Sequence, residues 1–134
     1  MLTYDLRRRD VDWSKLKALT EEWRRTTESG YFYGDYYPLT PYNRDETQWI
    51  AWQFHRPDRG TGIVQAFRRK DCLSGSACFA LDGLDSAAEY VVTDIDAPER
   101  AGTFTGRQLM EDGVSVETGV APQAAILTYE RKRQ

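Results

Sequence analysis

The sequence predicts an all-β fold: an antiparallel β-sandwich of about seven or eight strands led by one N-terminal α-helix. Three observations point there. Only one segment, near the N-terminus, repeats its apolar residues at a helical period. From Trp49 onward, short alternating runs recur between Gly, Pro and Asp turn signals. Between helix and strands lies a proline-interrupted aromatic stretch that no regular helix accommodates. The 134 residues suit a single domain. Within it, 1–30 is a helix-bearing lead-in, 31–46 an aromatic strap and 47–134 the sandwich.

The helix is expected after Asp12, whose carboxylate can accept from free N–H groups of a first turn. Trp13, Leu16, Leu19, Thr20 and Trp23 form one stripe. Lys15, Glu22 and Arg25 occupy the opposite face. The helix should end before Gly30. Two tryptophans on so short a helix require a broad apolar partner.

In the strap, six of the twelve residues from Tyr31 to Tyr42 are aromatic. Pro38 and Pro41 remove backbone donors and push Tyr37 and Thr40 toward extended conformations. An irregular, extended strap is therefore expected. It either packs across a core or offers ring faces to a ligand.

The strands follow in order. Ile50, Trp52 and Phe54 alternate with Trp49, Ala51 and Gln53. Pro57-Asp58-Arg59-Gly60 turns the chain into a second run from Gly62 to Arg69, a hairpin. Further strands are expected over Ser76 to Leu81, Glu89 to Ile95, Thr103 to Thr105, Val114 to Glu117 and Ala124 to Tyr129. Gly106 to Met110 can hold a helical turn. Trp52 and Phe54 share a face with Ile50, which favours them for the core. Trp49 then faces the other way with Gln53 and needs a cover or stands exposed.

Composition narrows the function classes. The net charge is −3 with interspersed signs, which argues against nucleic acid and anionic membranes. No apolar run approaches the ~20 residues of a membrane span. Arg7, Arg8 and Arg9 are followed by no apolar stretch, so no secretion signal is read here and a cytoplasmic location is expected. Cys72 and Cys78 then read as two reduced thiols, with a disulfide across a short turn only in an exported protein. A zinc site would need further ligands, and His55 is the single histidine. No metal or cofactor is expected.

Candidate chemistry is sparse. Asp94 and Asp96 are the nearest approach to a glycosidase carboxylate pair, but before Pro98 they read better as turn residues. They match no calcium-loop pattern either. His55 reads as a surface or rim histidine rather than a catalytic base. Gly60-Thr61-Gly62 precedes a strand, so it aims no helix N–H groups at a phosphate. Stacking on aromatic rings remains. Trp49, Tyr36 and Tyr37 are the candidate sugar platform, with Asp35 as an acceptor for sugar hydroxyls.

The runs from Tyr33 to Tyr42, Trp49 to Phe54 and Gly62 to Arg69 resemble the C-terminal portion of α-galactosidase-like enzymes of glycoside hydrolase family 36. Tyr4-Asp5-Leu6-Arg7 and Asp10-Val11-Asp12-Trp13 are similar to the segment leaving that family's catalytic barrel. Tyr90 to Asp94 and Thr105 to Met110 fit its C-terminal domain. The resemblance implies a β-sandwich that follows a (β/α)8 barrel carrying an aspartate nucleophile and an aspartate acid/base. Such a barrel takes about 250 residues, and none of its catalytic positions exists here. The implied function is a non-catalytic accessory domain of a retaining α-galactosidase-type enzyme, with the barrel, in the same or another chain, as partner. The strap becomes a seam between barrel and sandwich. Two other readings stand beside it: a stand-alone carbohydrate-binding module taking a galactoside or other sugar, and a ligand-free interaction domain. In an isolated chain, an uncovered seam and helix stripe predict a homo-oligomer or poor solubility.

Overall fold

The computed structural model describes residue 5 and residues 7–133. Tyr4 and Leu6 of the first family-like motif lie outside the described residues. The chain divides into two units, 1–30 and 31–134.

In the first unit, α1 runs Trp13–Glu28. Asp12 caps it: its carboxylate accepts from Lys15 N at 3.0 Å. Thr20, Thr26 and Thr27 turn their hydroxyls back onto carbonyls one turn earlier. Gly30, at φ 73°, ends the unit in a conformation that glycine adopts freely. No residue of α1 is buried, and Trp13, Leu19 and Trp23 are exposed.

The second unit opens with a 3-10 turn, Tyr31–Tyr33. Its elements are β1 (Asp35–Pro38), β2 (Trp49–Arg56), β3 (Thr61–Arg68), β4 (Ser76–Phe79), β5 (Glu89–Asp94), β6 (Ala97–Thr105), α2 (Gly106–Glu111), β7 (Val114–Glu117) and β8 (Gln123–Arg131). Every strand pairing is antiparallel. Six strands form one sheet in the order β1-β2-β3-β8-β5-β6, and β4 with β7 form a second, two-stranded sheet. The expected sandwich with one N-terminal helix is the observed architecture, with eight strands among the described residues.

Local chemistry sets the joins. The β2–β3 hairpin closes at Gly60, whose φ of 65° and N–H to Arg56 O bond of 2.8 Å make the turn. A capping box starts α2, with Thr105 and Gln108 satisfying each other's backbone N–H groups. Leu109 on α2 is fully buried and seats the helix on the core.

The sequence expectation differs from the structure in three places. The strap is partly regular: Asp35–Pro38 hydrogen-bonds to β2 as an edge strand. Pro38 sits at the end of that strand, where a missing donor does least harm. The strand expected over Thr103 to Thr105 begins at Ala97, because β6 pairs along much of β5. The faces of β2 are also inverted. Trp49, Ala51, Gln53 and His55 are buried, while Ile50, Trp52 and Phe54 are half-buried. The inner face meets Phe79, Leu81 and Val116 in the main core, and its polar members are hydrogen-bonded there.

Behind the sheet, the 3-10 turn lies against β2 and β3. It sets Phe32 edge-on to Phe54 with centroids 5.1 Å apart. Ile63, the β3 partner of Phe54, is fully buried on this outer side.

Candidate functional site

The four residues expected to form a sugar platform do not converge. Tyr36 pairs with Phe54 on the outer face of β1 and β2, whereas Tyr37 pairs with Gln53 on the inner side. Trp49 lies at the far end of β2, paired with Arg68. Its indole is 8% exposed, donates to Ser74 O at 2.9 Å and packs edge-on to Phe79. No free ring face remains for stacking on Trp49. Tyr36, 56% exposed, and Asp35 beside it stay open to solvent. Tyr37 is half-buried and directs its phenol toward Gly83.

The outer face is richer in rings than the sequence reading expected. Tyr36 and Phe54 lie 5.4 Å apart, and Trp52 and Phe67 5.0 Å. Trp52 Nε1 donates to Gln65 Oε1 at 2.7 Å, which ties the indole to its pairing partner on β3. Ile50, Trp52, Phe54, Phe67 and Ile126 are all half-buried.

Asp94 and Asp96 form a turn: Asp94 Oδ1 accepts from Asp96 N at 2.9 Å within the β5–β6 connection. Cys72 is buried and Cys78 exposed, both as free thiols. Among the described residues no group of acidic, cysteine or histidine side chains is arranged to hold a metal.

The inner face holds a polar knot that the sequence reading missed. His55 is buried, not at the surface as expected, and its Nδ1 lies 2.9 Å from the Tyr129 hydroxyl. Gln53 Nε2 donates to the same hydroxyl at 2.8 Å and to Asp82 O at 2.9 Å. Asp82 N returns a bond to Gln53 Oε1, also at 2.9 Å. Tyr129 accepts from Gln53, so its own proton is free to donate to Nδ1 of a neutral imidazole. Burial lowers the His55 pKa, only partly offset by Asp35 and Asp58. Burial also raises the Tyr129 pKa well above the usual phenol range, against the Gln53 hydrogen bond. Both groups are therefore neutral at pH 7, and the knot is a satisfied buried network.

A glycine makes this knot possible. Gly62 lies between its pairing partners His55 and Tyr129 on the neighbouring strands. A Cβ there would sit 2.1 Å from the Tyr129 hydroxyl and 2.6 Å from Phe54 O. The phenol crosses β3 through the space that the missing side chain leaves. The sequence signal was available as a glycine inside an alternating strand, a mark of close approach.

The glycosyl hydrolase family 36 C-terminal domain matches residues 49–128. Among solved structures, the fold matches the galactosidase domain of the alpha-galactosidase-sucrose kinase AgaSK at a TM-score of 0.70 and 16% identity, over 92% of this chain and 17% of that one. A GH36 alpha-galactosidase AgaA variant from Geobacillus stearothermophilus, in complex with 1-deoxygalactonojirimycin, matches at 0.71 and 19%, over 92% and 17%. The GH36 alpha-galactosidase AgaB from the same organism matches at 0.60 and 23%, over 86% and 14%. The chain thus spans less than a fifth of each of these structures. No curated protein sequence matches it.

Proposed function

The chain belongs to the glycosyl hydrolase family 36 C-terminal domains, and on that premise we propose that it is the non-catalytic accessory domain of a retaining α-galactosidase-type glycosidase, packed on a (β/α)8 barrel. The outer face of the main sheet carries this reading. The inner face already has the β4–β7 sheet as its partner. The outer face still presents Trp52, Phe54, Phe67 and Tyr36 in ring-to-ring contact. A sheet apolar on both faces requires a layer on each. The 3-10 turn lies against β2 and β3, and the barrel completes the cover around it. Residues 1–30 are the lead-in from that barrel.

The non-catalytic part of the reading is supported by the hairpin that ties up Asp94 and Asp96 and by the burial of His55. Free thiols at Cys72 and Cys78 suit a reducing, cytoplasmic setting. Without the barrel, the exposed rings drive self-association.

The test is turnover of nitrophenyl α-galactoside by the chain alone. No release of nitrophenol is expected. Release that disappears in Asp94→Asn would overturn the reading. Mass analysis of the native product should find several hundred residues.

A further inference from the structure

The inner face of β6 opens on a cleft that neither the core nor the outer-face reading uses. Tyr90 and Val92 of β5 point into the core, and their partners Phe104 and Gly102 point the same way at the sheet edge. Tyr90 is covered; Phe104 remains 41% exposed. Its ring folds back over Gly102, where a Cβ would lie 2.8 Å from Cε2. The glycine thus leaves the phenyl ring room to lie along its own strand.

This ring lines a cleft of about 280 Å³ between β5, β6 and β7, floored by Val92, Leu127 and Val116. Asp94, Arg100, Ser115 and Glu117 supply its polar groups. A second hollow of about 450 Å³ shares Arg100 and Glu117 and continues to Ser76 and Thr118. Among the described residues, the side chains of Arg100, Ser115 and Glu117 have no hydrogen bond or ion pair. Thr118 Oγ1 is the one buried side-chain polar atom among them without a partner. Leaving such a group unsatisfied costs about 1–3 kcal/mol, and Thr118 lines this second hollow.

We propose that this cleft binds a neutral saccharide, with a pyranose against Phe104 and further units along Arg100 and Glu117 toward Thr118. An apolar ring face beside mixed donors and acceptors matches a sugar, whose C–H face is apolar and whose rim is hydroxyl. Two carboxylates against one guanidinium give the cleft a net negative rim, which disfavours phosphates and other anions. Strand addition at this edge is opposed by Pro98, Glu99 and Arg100 on β6, residues that blunt sheet edges. The proposal does not depend on the barrel.

Amide NMR titration of the full chain with galactose and with raffinose tests it. Saturable shifts are expected at Gly102, Phe104, Ser115, Glu117 and Thr118, with millimolar affinity of about 1 mM. Phe104→Ala and Glu117→Gln should each weaken binding about tenfold or more. Gly102→Ala displaces only the far edge of the phenyl ring, so it should weaken binding while the thermal melt stays put. Tyr36→Ala should leave affinity unchanged. Three results would overturn the proposal: no saturable shifts at about 50 mM sugar, shifts gathered at Tyr36 and Phe54 instead, or unchanged affinity in Gly102→Ala and Glu117→Gln. Tighter binding of glucuronate than of galactose would overturn the neutral-ligand assignment.

Discussion

The two faces of β2 reverse the usual distribution of residues. The inner face holds Gln53 and His55, the outer face Ile50, Trp52 and Phe54, yet the polar pair is buried and the apolar trio only half-covered. The inner polar groups are tolerated because each has a partner inside the fold. The outer apolar groups remain partly uncovered, and on the reading proposed above their cover is another layer of protein. The lesson is that alternation reports the period of a strand but not which face is in. Face is decided by what the rest of the chain brings to each side.

The contrast breaks most severely at Gly62. Gly62→Ala drives a methyl into the Tyr129 hydroxyl and Phe54 O, so urea unfolding should show a loss of about 3 kcal/mol. Tyr129→Phe removes the shared partner of Gln53 and His55. It should cost about 2 kcal/mol, with His55→Phe and Tyr129→Phe showing non-additive effects in a double-mutant cycle.

The same knot makes the inner face acid-sensitive. Burial lowers the folded-state pKa of His55 below its unfolded value. The unfolded chain therefore binds the proton more readily. This contribution to stability is fully present above about pH 6.5 and is lost as pH falls from there toward the folded-state pKa. Denaturation midpoints should decline over that window, and His55→Gln should flatten the decline.

The smallest effect on folding belongs to the outer face. Trp52 is half-buried in the chain alone, and Trp52→Ser should cost about 1 kcal/mol, less than either inner-face change. If it costs as much as Tyr129→Phe, the two faces do not differ in the way described.

Much of this was legible in the sequence. Asp12 at the helix start, Gly60 in the hairpin and the alternation of β2 and β3 carry local rules that the structure obeys. The family-like runs at Trp49 to Phe54 and Gly62 to Arg69 fall inside the matched region. The inverted faces were not legible, because Gln53 and His55 become interior residues through distant partners: Asp82 for Gln53, and for both Tyr129, 74 residues from His55 in the chain. The platform did not assemble for the same reason. Tyr36 and Tyr37 are adjacent in sequence but sit on opposite faces of an edge strand, and Trp49 is covered by Phe79 from the second sheet. The Phe104 cleft depends on strand register at β5 and β6, which composition does not reveal.

The accessory-domain reading is tested most directly by mixing the chain with the separately produced barrel of a family 36 α-galactosidase and measuring association by sedimentation velocity. The wild-type chain should co-sediment with the barrel, and the Trp52→Glu, Phe54→Glu double variant, checked for its fold by circular dichroism, should not. A folded double variant that associates as well as the wild type would contradict the outer face as the docking surface, and no association by either would contradict the barrel as the partner.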